Sequence, residues 1–321
     1  MYLQTQIPLT KPTGNLISYG SNVLLLGSCF VEHIGEKLSY YKFQTVQNPF
    51  GIVFHPKAIE RIVVNAIGQK QYLEEDVFFH NEQWHCFEVH SKLSNPSKEA
   101  LLNNLNNQVK VAAQELNRAS HIIITLGTAW VYRFTKTNTL VANCHKVSQK
   151  EFQKELLSIE TIKNALHYIT DLIKAINPKV TVIFTVSPVR HLKDGFIENT
   201  QSKAHLIAAI HQFLNLQSVS VDRNLHYFPS YEIMMDELRD YRFYAEDMVH
   251  PNTIAVNYIW EKFQSVWMSG EASKIMKQVD GIQKGLQHKP FNPNSEAHQQ
   301  FLQQLEVQKK ELQQKFTHIS F

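Results

Sequence analysis

Three residues of this chain have the types and spacing that acyl-transfer chemistry needs: Ser28, Asp247 and His250. Ser28 follows Gly27, which permits a sharp turn, between the apolar run 23–26 and a helical pattern through Val31, Ile34 and Leu38. A hydroxyl at such a strand-to-helix turn is presented at the edge of a sheet, where the helix N-terminus offers N–H groups to a developing oxyanion. The plainer role for the same residue is a helix N-cap. In Asp247-Met248-Val249-His250-Pro251 the carboxylate precedes the imidazole by three residues. It can curl back to Nδ1 and leave Nε2 free to take a proton from a hydroxyl, with Pro251 suited to the first turn of the helix that follows. The plainer reading is a surface turn whose acid caps that helix.

Other residues compete for these roles. Cys29 places a thiol at the same helix start, but one residue further round turns a side chain by about 100°, which sends it toward the sheet–helix packing. Cys144-His145 either enters a pocket or is a buried thiol beside a solvent-facing imidazole. His80, His85 and His90 recur at intervals of five. In an extended segment adjacent members face opposite sides, and no His-Glu-x-x-His is present, so neither a metal nor another cofactor is expected. Arg190, His191 and Lys193 follow an apolar run and can hold a carboxylate, a phosphate or a sugar hydroxyl; Arg242 can do the same, with surface charge as the alternative.

The elements that must carry these residues read as alternating strand and helix. Buried strands are expected at 23–26, 122–126 and 180–186, with crossover helices at about 56–67, 97–117 and 159–176, which makes a parallel sheet. Two segments break the rhythm and read as β-hairpins, residues 72–90 around Asn81-Glu82 and residues 130–146 around Lys136-Thr137-Asn138. The second leaves a strand's carboxyl end, where open α/β sheets bind ligands. Beyond Gly270, Pro290-Phe291-Asn292-Pro293 precedes a Gln-rich helix to about Phe316, whose stripe of Phe301, Leu305 and Leu312 docks on the body or pairs with a second copy. The expected division is a catalytic body over 1–270 and a helical appendage over 271–321.

Composition sets the bounds on partners and compartment. The chain has 321 residues, 43% hydrophobic and 19% charged, the balance of a folded protein. Its 32 basic and 29 acidic residues form no long like-charged block, so nucleic acid is not an expected partner. No apolar run approaches the roughly 18 to 20 residues that span a bilayer, and residues 1–20 lack the apolar stretch of a secretion signal. Three scattered cysteines, Cys29, Cys86 and Cys144, suit unpaired thiols in a reducing compartment. A cytoplasmic protein without a membrane partner is expected.

Several stretches in order carry a family likeness. Gly27-Ser28-Cys29-Phe30, Asn48-Pro49-Phe50-Gly51, Leu126-Gly127-Thr128-Ala129-Trp130, Asn143-Cys144-His145-Lys146, Ser187-Pro188-Val189-Arg190-His191 and Tyr241-Arg242-Phe243-Tyr244 ahead of Asp247 and His250 resemble the GSCFA-domain proteins, a branch of the SGNH hydrolase superfamily. The resemblance covers roughly residues 20–265. It implies a three-layer α/β/α sandwich around a parallel sheet, with hairpin insertions and a C-terminal helical extension. It also implies a serine esterase or deacetylase working through an acyl-enzyme on a small-molecule or carbohydrate ester, with Ser28 as nucleophile and Asp247 and His250 completing the triad. The N–H groups of Ser28, Gly51 and Gly127 would form the oxyanion hole. Two departures stand out: Gly27 replaces the superfamily's aspartate before the serine, and Ala129 stands where a third-block asparagine supplies an oxyanion donor. Asn48 and Asn143 are candidate replacements, each with a turn role as the alternative. Asn48, Asn143, His145 and Arg190 are the expected substrate-binding residues. Acyl transfer to an alcohol shares the same intermediate, and a scaffold that binds without turnover is the remaining alternative, against which the intact Ser28, Asp247 and His250 speak.

Overall fold

The computed structural model of the chain describes residues 5–218 and 224–321; the first four residues of the N-terminal stretch discussed above lie outside them. In chain order, β1 (Asn22–Gly27) turns directly into α1 (Cys29–Tyr40), which returns to β2 (Gln44–Gln47). Helix α2 (Pro56–Ile67) then leads through the short hairpin β3 (Phe78–His80) and β4 (Gln83–His85) to α3 (Lys98–Arg118) and β5 (His121–Leu126). From there the chain forms β6 (Trp130–Phe134), β7 (Thr139–Val141) and β8 (Phe152–Leu156) before α4 (Ile159–Ile176) and β9 (Thr181–Val186). Helix α5 (Phe196–Ser218), β10 (Leu225–Tyr227) and the short α6 (Ser230–Glu232) follow, and α7 (Thr253–Trp267), α8 (Gly270–Gln287) and α9 (Glu296–Lys315) complete the order.

Five strands make the central parallel sheet in the order β10-β9-β5-β1-β2. Its inner strands are buried on both faces, which is why they read as continuous apolar runs. Alternation divides them between two cores. Leu24, Leu26, Ile122, Ile124, Phe184 and Val186 pack under α2 to α5. Val23, Leu25, Ile123 and Ile183 pack under α1, α7 and α8 on the opposite face. These layers are the expected three-layer α/β/α sandwich. Counting sheet strands along the chain, the order is 2-1-3-4-5, so the connections reverse direction between β1 and β5. Their carboxyl ends flank the crevice that such a reversal opens.

Three strands go beyond the sequence reading. β2 and β10 are edge strands of the main sheet with incomplete burial, and β8 extends the second hairpin into the antiparallel sheet β7-β6-β8. Asn81 and Glu82 adopt φ of 45° and 60°, the double left-handed turn that closes a two-residue hairpin, but only three residues pair on each side. Helix α7 starts at Thr253, not at Pro251; Asn252 is its N-cap and accepts from the Ala255 N–H at 3.1 Å. Of the apolar stripe on α9, Leu305 and Leu312 are buried in the α1/α7/α8 core, so the stripe docks on the body. No helix among the described residues is long and apolar enough to cross a membrane.

Candidate functional site

At the end of β1, Gly27 adopts φ +135°, and a Cβ there would lie 2.1 Å from the Thr125 carbonyl oxygen, so only glycine fits. Its N–H donates to Asn48 Oδ1 at 2.9 Å. Asn48 follows β2, is 8% exposed, and has no acceptor for its Nδ2. The sequence left Asn48 between a turn and a site role. Its backbone makes the turn, with the Gly51 N–H donating to its carbonyl at 2.7 Å, while its side chain reaches the β1–α1 junction.

Ser28 occupies the N-cap position of α1 but makes no side-chain cap. The residue is 1% exposed, and its Oγ is buried with no hydrogen-bond partner. No hydrogen bond links it to His250. Cys29, the first residue of α1, is half-buried and packs against the α1/α7/α8 core, the direction expected of it. Its thiol lies within reach of the N–H groups of Cys29 and Phe30, while burial, with the nearby Glu32 carboxylate, holds it protonated above the usual thiol range.

The expected oxyanion hole is not available in this structure. The Ser28 N–H donates to the Thr125 carbonyl at 3.1 Å, that of Gly51 to Asn48 at 2.7 Å, and that of Gly127 to Phe54 at 2.7 Å. All three are spent on backbone carbonyls. Among the described residues, Cys29 N and Phe30 N, at the open start of α1, have no carbonyl acceptor.

The third block closes the crevice through residues that sequence reasoning missed. Lys203, in the interior of α5 and 1% exposed, donates from Nζ to the carbonyl oxygens of Gly127 and Ser187, both at 2.7 Å. Burial without a carboxylate pushes its pKa down to about 7. Ser202 beside it accepts from the Ala129 N–H at 2.7 Å. Gly127 leaves room for His191 and Phe54, since a Cβ there would sit 3.2 Å from His191 Nε2 and 2.9 Å from Phe54 Cβ. His191 Nε2 is buried and unpartnered, and burial together with the charges of Lys203 and His250 keeps the ring neutral down to about pH 3.

Opposite stands the acid–imidazole pair. Asp247 Oδ2 lies 2.6 Å from His250 Nδ1, as the three-residue spacing predicts, and Oδ1 accepts from the N–H groups of Val249 at 2.9 Å and His250 at 3.0 Å. These bonds hold the Asp247 carboxyl down at about 2. With Nδ1 engaged, Nε2 is the free nitrogen. Met248 turns the loop with φ +56°, and Arg190 clamps it: its N–H meets the Val249 carbonyl and its Nη1 the Met248 carbonyl, each at 3.1 Å. The Arg190 guanidinium also faces the rings of Phe196, Tyr241 and Tyr244 on the wall of a cavity of about 320 Å³.

Two expected substrate contacts are occupied elsewhere. Asn143 Oδ1 accepts from the His145 N–H at 2.8 Å, closing a local turn. His145 is buried rather than solvent-facing, with Nε2 2.7 Å from the Cys86 carbonyl oxygen, and it joins the two hairpins; Cys144 is its half-buried neighbour. Cys29, Cys86 and Cys144 are all unpaired.

The GSCFA family model matches residues 22–263, and the model of the GSCFA domain protein, C-terminal domain, matches residues 279–321. No curated protein matches the sequence. Among solved structures, the chain is similar to an acetyl xylan esterase from the rumen bacterium Butyrivibrio proteoclasticus at 9% identity and a TM-score of 0.38. That match covers 85% of this chain, which spans 66% of the esterase.

Proposed function

The chain belongs to the GSCFA family, and we propose that it hydrolyses ester bonds through an acyl-enzyme formed at the β1–α1 turn, with His250 as the base. The observation that carries this reading is the 2.6 Å bond between Asp247 Oδ2 and His250 Nδ1 at the carboxyl edge of the sheet. The carboxylate fixes the tautomer and stabilises the imidazolium that forms when Nε2 takes a proton. Helix α1 begins at the turn, and its uncommitted N–H groups and dipole favour the negative charge that develops on the carbonyl oxygen.

The substrate class is a small ester, a carbohydrate or metabolite acylated with a short chain. Arg190 and the ring-lined cavity beside the His250 loop are placed to bind its alcohol portion. Hydrolysis of an aryl acetate by the purified protein tests the reading. His250→Ala should remove turnover while leaving the fold intact, because the side chain is 42% exposed and its loss opens no core cavity. Equal rates for parent and variant would overturn the assignment of the base.

A further inference from the structure

We propose that the attacking atom is Cys29 Sγ and that Ser28 is a buried support of the turn. This rests on the reading of the Asp247–His250 pair as the base of an acyl-enzyme mechanism. The turn offers two candidate nucleophiles one residue apart, and their surroundings separate them. Ser28 is 1% exposed, its hydroxyl contacts neither solvent nor His250, and its N–H is held by Thr125. An ester carbonyl attacked by Ser28 would have to enter a closed volume and would find the nucleophile's own N–H already committed.

Cys29 differs in its exposure and in the state of its backbone N–H groups. It is half-buried, it starts α1, and the N–H groups of Cys29 and Phe30 have no carbonyl acceptor, so they stand beside the sulfur to receive an oxyanion. A third donor comes from outside the helix. The Gly27 N–H fixes Asn48 Oδ1, so the amide presents its buried, unpartnered Nδ2 next to the turn. A buried donor without an acceptor costs about 1–3 kcal/mol, a cost a ligand oxygen would remove. In this role Asn48 supplies the side-chain donor that Ala129 lacks. Lys203 lies within electrostatic reach of the thiol, and both it and His250 act on His191, so all four groups share one region.

The thiol is protonated at rest, so the step needs the base. His250 Nε2 removes the Sγ proton as the sulfur bonds to the carbonyl carbon. The tetrahedral oxyanion collapses, the ester C–O bond breaks, and the departing alkoxide takes the proton from His250. Water then gives a proton to the same nitrogen and attacks the thioester; the acid leaves as the C–S bond breaks, and the sulfur regains its proton.

Two measurements test the assignment. In the first, the parent is mixed with p-nitrophenyl acetate, quenched in acid and digested, and mass spectrometry locates the acetyl group. Acetyl on Cys29 is expected, Cys29→Ala should lose at least about a thousandfold in kcat/KM, and Ser28→Ala should stay within about tenfold of the parent. Acetyl on Ser28, or the opposite order of the variants, would overturn the proposal. The second needs no substrate: alkylation by iodoacetamide is followed cysteine by cysteine. Cys29 should react at least about tenfold faster than the similarly half-buried Cys144, and His250→Ala should remove the difference. Equal rates for the two thiols would overturn the proposal. A fast Cys29 in a protein that hydrolyses no aryl ester would support the thiol while removing the esterase reading.

Discussion

Lys203 Nζ lies 2.7 Å from the carbonyl oxygen of Gly127, and it joins the loop after β5 to the loop after β9 by bonding Ser187 equally closely. A neutral amine has two N–H donors, so two carbonyls satisfy it without a counter-charge. The ammonium form pays for burial, and its pKa is depressed from 10.5 to about 7. Folding therefore releases a proton between pH 7 and 10.5, and this group's contribution to stability rises with pH across that window and is lost as pH falls through about 7.

Lys203→Met should for this reason destabilise the protein, and more so at high pH. The variant leaves two carbonyls without donors, at about 1–3 kcal/mol, but relieves the cost of a buried charge. Urea unfolding at pH 9 and pH 6.5 checks this: the gap between parent and variant should narrow on acidification. A gap that widens toward acid would mean that the ammonium is the favoured form.

Asp247→Asn should reduce kcat by about a thousandfold, because an amide can hold Nδ1 as an acceptor in the wrong tautomer and cannot balance an imidazolium. In the parent, the Asp247 carboxyl stays ionised until about pH 2. Its stabilising bonds are thus present above the ordinary carboxylate pKa and are lost only as pH falls toward 2. A pH profile of kcat/KM in the parent should therefore show no inflection from Asp247 in the ordinary carboxylate range, and one that did would contradict the assignment.

Two glycines should respond differently to alanine. At Gly27 the backbone is left-handed and the added Cβ meets Thr125 backbone atoms, which cannot retreat without breaking the β1–β5 ladder; Gly27→Ala should fail to fold or lose about 3 kcal/mol or more. At Gly127 the obstacles are the side chains of Phe54 and His191, which can give way. Gly127→Ala should fold with a loss of about 1–3 kcal/mol and shift the His191 resonances in NMR spectra.

The sequence makes the inner strands legible because burial on both faces leaves apolar runs at 23–26, 122–126 and 180–186. The edge strands escape it for the complementary reason: Gln44–Gln47 pairs on one side only and is incompletely buried, and its residues carry no periodic signal. Asp247 and His250 are readable because a three-residue spacing is a local geometric fact. Which of Ser28 and Cys29 faces the crevice is not local. It depends on how β1 registers with β5 and on where α1 starts, and a shift of one residue exchanges the two side chains. Lys203 leaves no trace, since a single lysine in a helix becomes a buried bridge only when two distant loops converge on it.

Arg190 offers the most direct test of how the base is held. Its backbone N–H and its Nη1 both grip the loop that carries Asp247 and His250, at carbonyls where Met248 forces a left-handed turn. Among the described residues no carboxylate pairs with its guanidinium, which instead lies against three aromatic rings. Arg190→Gln keeps the backbone bond to Val249 but removes the side-chain half of the clamp and the cation together, so kcat should fall by about tenfold or more as His250 loses its fixed position. Arg190→Lys keeps a donor and the charge but not the planar contact with the rings, and it should recover part of kcat. Because the same guanidinium lines the cavity, KM for an ester with a negatively charged alcohol should rise in Arg190→Gln relative to a neutral ester of similar size. Stopped-flow and steady-state rates on the two esters separate these effects: a change in KM alone would mean that Arg190 binds substrate without positioning the loop.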